Sequence, residues 1–337
     1  MILRTLTLLM VTALPLRADP PKVVTDIPAV HSIASALMAG VGMPSMLLKA
    51  GETPHNFSMR PSQAHDLQNA DLVVWMGHGL TPQLEDPIET LATNAEVMEL
   101  LEIDRLPFLE VRASADFGDD HHDHGHGNHK EPGHDDHKDE DHAGHEHDDH
   151  KDGHDNHAGH DHRHGAGGQD PHAWLDPKFA TMWAQEIAAR LIAADMDNAD
   201  TYKANLASFA GKMSLLDLDL KAVLAEARDT PFIATHDALY YFESAYGLNA
   251  RGALANTDAA PAGPERMAAI RAALSDGSIK CALVEAGTSR KGLEAVAPAG
   301  GLTFVEIDQV GLTLEPGPAL YGNLLRGLAD AVKACPS

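Results

Sequence analysis

Imidazole is the most conspicuous chemical group in this chain, and its distribution is uneven. Of 22 histidines, 16 lie between Asp119 and His164, at His121, His122, His124, His126, His129, His134, His137, His142, His145, His147, His150, His154, His157, His160, His162 and His164. The same stretch holds 15 Asp or Glu against four Lys or Arg, which is −11 of the formal net charge of −25. Neutral imidazole among carboxylates suits zinc, copper and nickel. An acidic solubilising linker and an incidental low-complexity expansion are the alternatives. The stretch contains no Leu, Ile, Val, Phe, Tyr or Trp. It has nothing to bury, cannot offset its ordering entropy, and reads as a mobile surface insertion. Selective binding needs ligands on a rigid frame, so the frame must be sought elsewhere.

Six histidines lie outside the tract: His31, His55, His65, His78, His172 and His236. Three fall where a frame would present them. His55 sits in the turn-rich loop Ala50-Gly51-Glu52-Thr53-Pro54-His55-Asn56, His172 in Asp170-Pro171-His172-Ala173-Trp174, and His236 in Ala234-Thr235-His236-Asp237 at a strand's carboxyl end. Three imidazoles and one further oxygen make a tetrahedral zinc site. Asp308 and Glu285 occupy matching strand ends. Either can complete the shell, one can instead orient a histidine from behind, and water is the remaining donor. His31, His65 and His78 read as structural. Binding needs neutral imidazoles, so affinity is expected to fall below about pH 6, near the unperturbed histidine pKa of ~6.5.

The elements that must position these groups follow from periodicity. Short apolar runs alternate with helical patterns on both sides of the tract, which predicts an α/β fold of two lobes. Each lobe is expected to hold a four-stranded, mainly parallel sheet with flanking helices. Val97–Leu101 or Phe108–Val111 supplies the fourth strand of the first half. From Pro177 to about Ala227 the reading is helical. Leu206, Phe209, Met213, Leu216, Leu220, Val223 and Leu224 recur at helical spacing on one side of a helix of some 25 residues. At 1.5 Å per residue it would be about 37 Å long, enough to connect two lobes. Ligands of open α/β sheets bind outside the carboxyl ends of strands, so two facing ends with His172 on the connector would bring the imidazoles together.

The division expected is 1–18 as a signal peptide, 19–117 as an N-terminal lobe, 118–169 as the His/Asp-rich insertion, 170–228 as connecting helices and 229–337 as a C-terminal lobe. Arg4, the apolar run Leu6 to Leu16 and a cleavage point near Ala18 read as an export signal, because the run is too short to span a membrane. An exported, periplasmic and monomeric protein is expected. The acidic balance excludes nucleic acid as a partner. The two cysteines, Cys281 and Cys335, are expected to pair in an oxidising compartment and tie the last helix to an interior strand. The closed loop would give about 4 kcal/mol in the chain-entropy account.

The motifs also carry a family resemblance. Thr53-Pro54-His55-Asn56-Phe57-Ser58-Met59-Arg60-Pro61-Ser62 resembles the first metal-ligand motif of the metal-binding substrate-binding proteins of bacterial ABC importers. Asn69-Ala70-Asp71-Leu72-Val73-Val74-Trp75 matches the strand that follows it there. Asp170 to Pro177 matches the second ligand motif and Thr235 to Phe242 the third. Within that family the chain is most similar to the zinc-specific periplasmic, ZnuA-like members, which carry a His- and Asp/Glu-rich insertion before the second motif. The resemblance implies His55, His172 and His236 as ligands, Zn2+ as the transported ion, and delivery to a membrane permease. Manganese and iron relatives usually have Glu for the third His and a carboxylate at the position of Asp308. His236 therefore favours zinc, and Asp308 leaves a fourth carboxylate ligand open. Some zinc relatives have Glu before the first His, where this chain has Pro54. A manganese or iron receptor of the same fold and a periplasmic zinc buffer are the alternatives. A zinc hydrolase is disfavoured because no His-Glu-x-x-His helix is present.

Overall fold

Runs of Val, Ile and Leu bounded by turns fix the strands, and two such sets build two sheets. In the computed structural model the described residues are 19–49, 52–54, 57–104, 106–118, 168–256, 262–299 and 301–336. The segment read as a signal peptide, His55 and the tract from Asp119 to His164 lie outside them. The first lobe runs β1 (Val23–Thr25), α1 (Pro28–Leu37), β2 (Ser45–Met46), α2 (Pro61–Gln68), β3 (Leu72–Trp75), α3 (Glu85–Leu91) and β4 (Glu96–Glu99). Two helices follow, α4 (Pro177–Ala194) and α5 (Ala199–Leu224). The second lobe runs β5 (Phe232–His236), α6 (Tyr240–Tyr246), β6 (Ala250–Ala255), α7 (Pro264–Ala273), β7 (Cys281–Glu285), α8 (Lys291–Val296), β8 (Thr303–Ile307) and α9 (Leu320–Lys333).

Both sheets have four strands, all pairings are parallel, and the orders β2-β1-β3-β4 and β6-β5-β7-β8 are the same. In each lobe the chain moves outward from the first strand, then returns past it. That reversal leaves a crevice at the carboxyl ends of β1 and β3, and of β5 and β7, where open sheets bind ligands. Registers such as Val24↔Val73 and Ala282↔Phe304 alternate side chains between two covered faces. β3 and β7 are buried at every residue, as parallel strands with helices on both sides must be.

One apolar core runs through both lobes, from Val23, Leu72 and Val74 through Trp174, Phe209 and Leu220 to Phe232, Leu283 and Leu325. Smaller clusters cover the outer face of each sheet. Helix α5 spans 26 residues and buries Tyr202, Phe209, Met213, Leu216, Leu220 and Leu224, a stripe at three- and four-residue spacing. Asp176 caps α4 by accepting from Lys178 N at 2.9 Å, and Pro177 opens the helix. The disulfide Cys281–Cys335, with Cα atoms 5.3 Å apart, joins the start of β7 to the residues just after α9.

Phe108–Val111, read as a possible strand, belongs instead to an extended strap, and Glu96–Glu99 supplies β4. The strap crosses from the first lobe to the second. Leu109 N donates to the Tyr241 hydroxyl at 2.8 Å. Asp116 bridges antiparallel to Gly252 in β6. A Cβ at position 252 would collide with the Ala115 carbonyl, so only glycine allows this approach.

Candidate metal centre

The second-lobe crevice is built by two strand ends. His236 closes β5 and Glu285 closes β7, side by side in the sheet. Glu285 Oε2 lies 2.9 Å from His236 Nδ1. A 3-10 turn, Ala173–Leu175, brings His172 in from the connector. Asp170 holds that histidine twice: its Oδ1 accepts from His172 N at 2.8 Å and lies 2.9 Å from His172 Nδ1. All four side chains are buried.

The consequence is electronic. A carboxylate oxygen beside each Nδ1 can accept a proton carried there, the arrangement that turns Nε2 outward as a metal-ligating nitrogen. The two Nε2 atoms face each other at 3.3 Å. At that separation the two nitrogens can share one N–H, or both can turn to one cation. With Zn–N bonds of about 2.0–2.1 Å, a tetrahedral shell has a nitrogen–nitrogen edge of about 3.3–3.4 Å. The separation matches that edge.

The cavity around these atoms measures about 10 Å3 and is lined by Pro54, Leu80, His172, Trp174, His236, Glu285, Gln309 and Val310. Both lobes and the connector therefore contribute walls. Pro54 immediately precedes His55. Trp174 is fully buried and fixes the Gln309 backbone by donating from Nε1 to its carbonyl at 2.7 Å. The Trp174 carbonyl accepts from the Tyr321 hydroxyl at 2.6 Å.

Of the predicted residues, the fold brings His172, His236 and Glu285 together and leaves Asp308 out. Asp308 Oδ1 accepts from Gly311 N at 2.7 Å and Leu312 N at 2.9 Å. Its Oδ2 accepts from Thr313 N at 2.7 Å and Thr313 Oγ1 at 2.6 Å. It lines a different cavity, with Thr313, Leu314 and Asn323. Four donors satisfy this carboxylate as the clamp of its own loop. Asp170 was not assigned from sequence, although an aspartate two residues before a ligand can turn back on that residue's N–H. Gln309 carried no sequence signal.

The other histidines divide. His31 is buried, with Nε2 3.2 Å from the Pro44 carbonyl; burial lowers its pKa below the usual value. His65 lies on α2. His78 lies after β3, with Nδ1 2.7 Å from Glu99 Oε1, and a donor atom of Glu102 is also within 4.8 Å. Glu99 also accepts from His78 N at 2.8 Å, which makes the group a clamp on the β3 exit. In the first lobe the crevice is closed differently. Asp26 follows β1, fully buried, and accepts from Ile27 N and Met76 N at 2.8 Å each. Burial pushes its carboxyl up to about 6 against the pull of those donors.

The chain is similar to known proteins along nearly its whole length. Residues 23–335 match the family profile described as "ZnuA: Zinc-uptake complex component A periplasmic". A relative from Paracoccus denitrificans, the high-affinity zinc uptake system protein ZnuA, is 42% identical over 96% of this chain and 94% of its own. The protein of that name from Brucella abortus is 34% identical over 93% and 91%. A crystal structure of ZnuA superposes with a TM-score of 0.70 over 95% of this chain and all of its own, at 18% identity. The periplasmic zinc-binding protein TroA from Treponema pallidum gives 0.67 over 94% and 99%, at 17% identity. These two structures speak to the fold.

Proposed function

The chain belongs to the family of periplasmic zinc-uptake complex component A, and we propose that it captures Zn2+ in the periplasm between its lobes and hands it to the membrane permease of an ABC importer. The ligands are His55, His172 and His236, with Asp170 and Glu285 orienting the second and third. The observation that carries the reading is the pair of carboxylate-backed imidazoles whose Nε2 atoms stand one tetrahedral zinc edge apart. His55 is supported by its motif and by Pro54, its neighbour, on the cavity wall.

Residues 1–18 act as the export signal, and the mature protein works as a monomer. Among the described residues no helix is long and apolar enough to cross a membrane. The tract from Asp119 to His164 gathers zinc weakly near the site. It is joined to the fold next to His172, since Val111 N donates to the Gly168 carbonyl at 2.7 Å. Manganese prefers oxygen donors, so the nitrogen set favours zinc.

Zinc titration of the mature protein tests the reading. The parent should show one tight site and several weak ones. H55A, H172A and H236A should each lose the tight site, and removal of 119–164 should lose only the weak ones. The proposal fails if the tract deletion removes the tight site while the point variants keep it, or if manganese displaces zinc at equal concentration.

A further inference from the structure

Gln309 stands on the loop after β8 and lines the same cavity as His172, His236 and Glu285. It is 1% exposed. Its backbone is held by Trp174 Nε1, and Asp308 clamps the residues that follow. Its side-chain oxygen, Oε1, is buried and meets no hydrogen-bond donor among the described residues. Buried carbonyl oxygens are nearly always partnered, and an exception calls for a reason such as an ion or a water.

Two observations bear on which partner it meets. The cavity of about 10 Å3 has room for one water-sized particle, and it is walled by His172 and His236, whose Nε2 atoms stand 3.3 Å apart. The neighbouring carboxylates have other partners: Asp170 and Glu285 each turn an oxygen to an Nδ1 atom, and Asp308 is saturated by residues 311–313. A tetrahedral shell with three imidazoles still needs one donor. We infer that Gln309 Oε1 completes the zinc shell, as a neutral oxygen ligand and a determinant of metal selectivity. This rests on the zinc reading above. A neutral donor leaves the ion's charge to be balanced from behind the imidazoles, by Asp170 and Glu285. A carboxylate at the same place would make the site more welcoming to manganese.

The test uses Q309L, Q309E and H172A in the mature protein, loaded with Zn2+, Mn2+ or Co2+. Q309L removes an unpartnered buried oxygen, so the metal-free protein should unfold at the same temperature as the parent or higher. Its zinc affinity should nevertheless fall about tenfold or more, and the visible absorption of the Co2+ form should change. Q309E should keep tight zinc binding and narrow the preference for Zn2+ over Mn2+. The inference is overturned if Q309L binds zinc within about twofold of the parent and its Co2+ spectrum is unaltered, while H172A loses the tight site. If H172A retains the tight site, the zinc reading itself falls and this one with it.

Discussion

The two imidazoles differ from ordinary buried histidines in what stands behind them. His31 meets a backbone carbonyl, whereas His172 and His236 each face a carboxylate at 2.9 Å. A carboxylate fixes the tautomer and raises the basicity of the opposite nitrogen, and losing such support typically lowers metal affinity 10–100-fold. E285Q should therefore weaken zinc binding about tenfold or more without destroying the site, which competition against a chelator of known affinity would measure. An unchanged affinity would mean that Glu285 serves the fold rather than the metal. Histidines near strand ends were legible in the sequence. Their supporters were less so, because the choice between Asp308 and Glu285 depends on which backbone amides come within reach. The loop 309–313 folds back over Asp308 and takes all its acceptor capacity. No local pattern announces that.

Among the elements, α5 and the core strands followed directly from apolar periodicity, since Phe209, Met213, Leu216 and Leu220 are buried where their spacing puts them. The strap was misjudged as a possible strand for a physical reason. Phe108 and Leu109 are apolar because they pack against the core the lobes share, and among the described residues a short bridge at Glu110 is what pairs this part of the strap. The strap is fastened by Arg112. Its guanidinium reaches Asp237 and Glu243, the latter at 2.7 Å, and lies over the rings of Phe117 and Tyr240. Burial pushes the Glu243 carboxyl up to about 7, although Arg112 pulls it down. R112A would leave two buried carboxylates without their cation, a loss of about 3–5 kcal/mol. Without the guanidinium, Glu243 should titrate higher still. A carboxyl whose folded pKa exceeds its unfolded value favours the fold at low pH and loses that contribution as pH rises. The deficit of R112A relative to the parent should thus grow from pH 6 to pH 9, as urea midpoints at the two pH values would register. Parallel curves would contradict this assignment.

At the scale of the whole molecule, the lobes share one core, one long helix and one strap, so the cavity walls are held by more than a single hinge. Repeated topology explains much of what the sequence made visible. The same strand order occurs twice, and each copy offers a crevice at the same place. The first copy fills its own with Asp26, and the second opens it to His236 and Glu285. The division of labour between the two copies is a tertiary fact, legible only when both sheets are built.

The strap also returns to meet the chain on the far side of the tract. Val111 N donates to Gly168 O at 2.7 Å, Asp170 N donates to Leu109 O at 2.8 Å, and Glu110 bridges antiparallel to Gln169. These pairs form a stem whose two sides are fixed by the fold. The cost of closing a flexible loop grows with the logarithm of its length, about 0.6 kcal/mol per doubling. Halving the stretch 119–164 should then move the unfolding free energy by less than about 1 kcal/mol, and the number of weakly bound zinc ions should fall with the histidines removed. A large loss of stability would show that the stretch is part of the folded body. The tract is written in recurring His, Asp and Gly residues with no large apolar side chain. A stem of this kind lets the stretch between its two sides change in length and in histidine number while the geometry around His172 stays as it is.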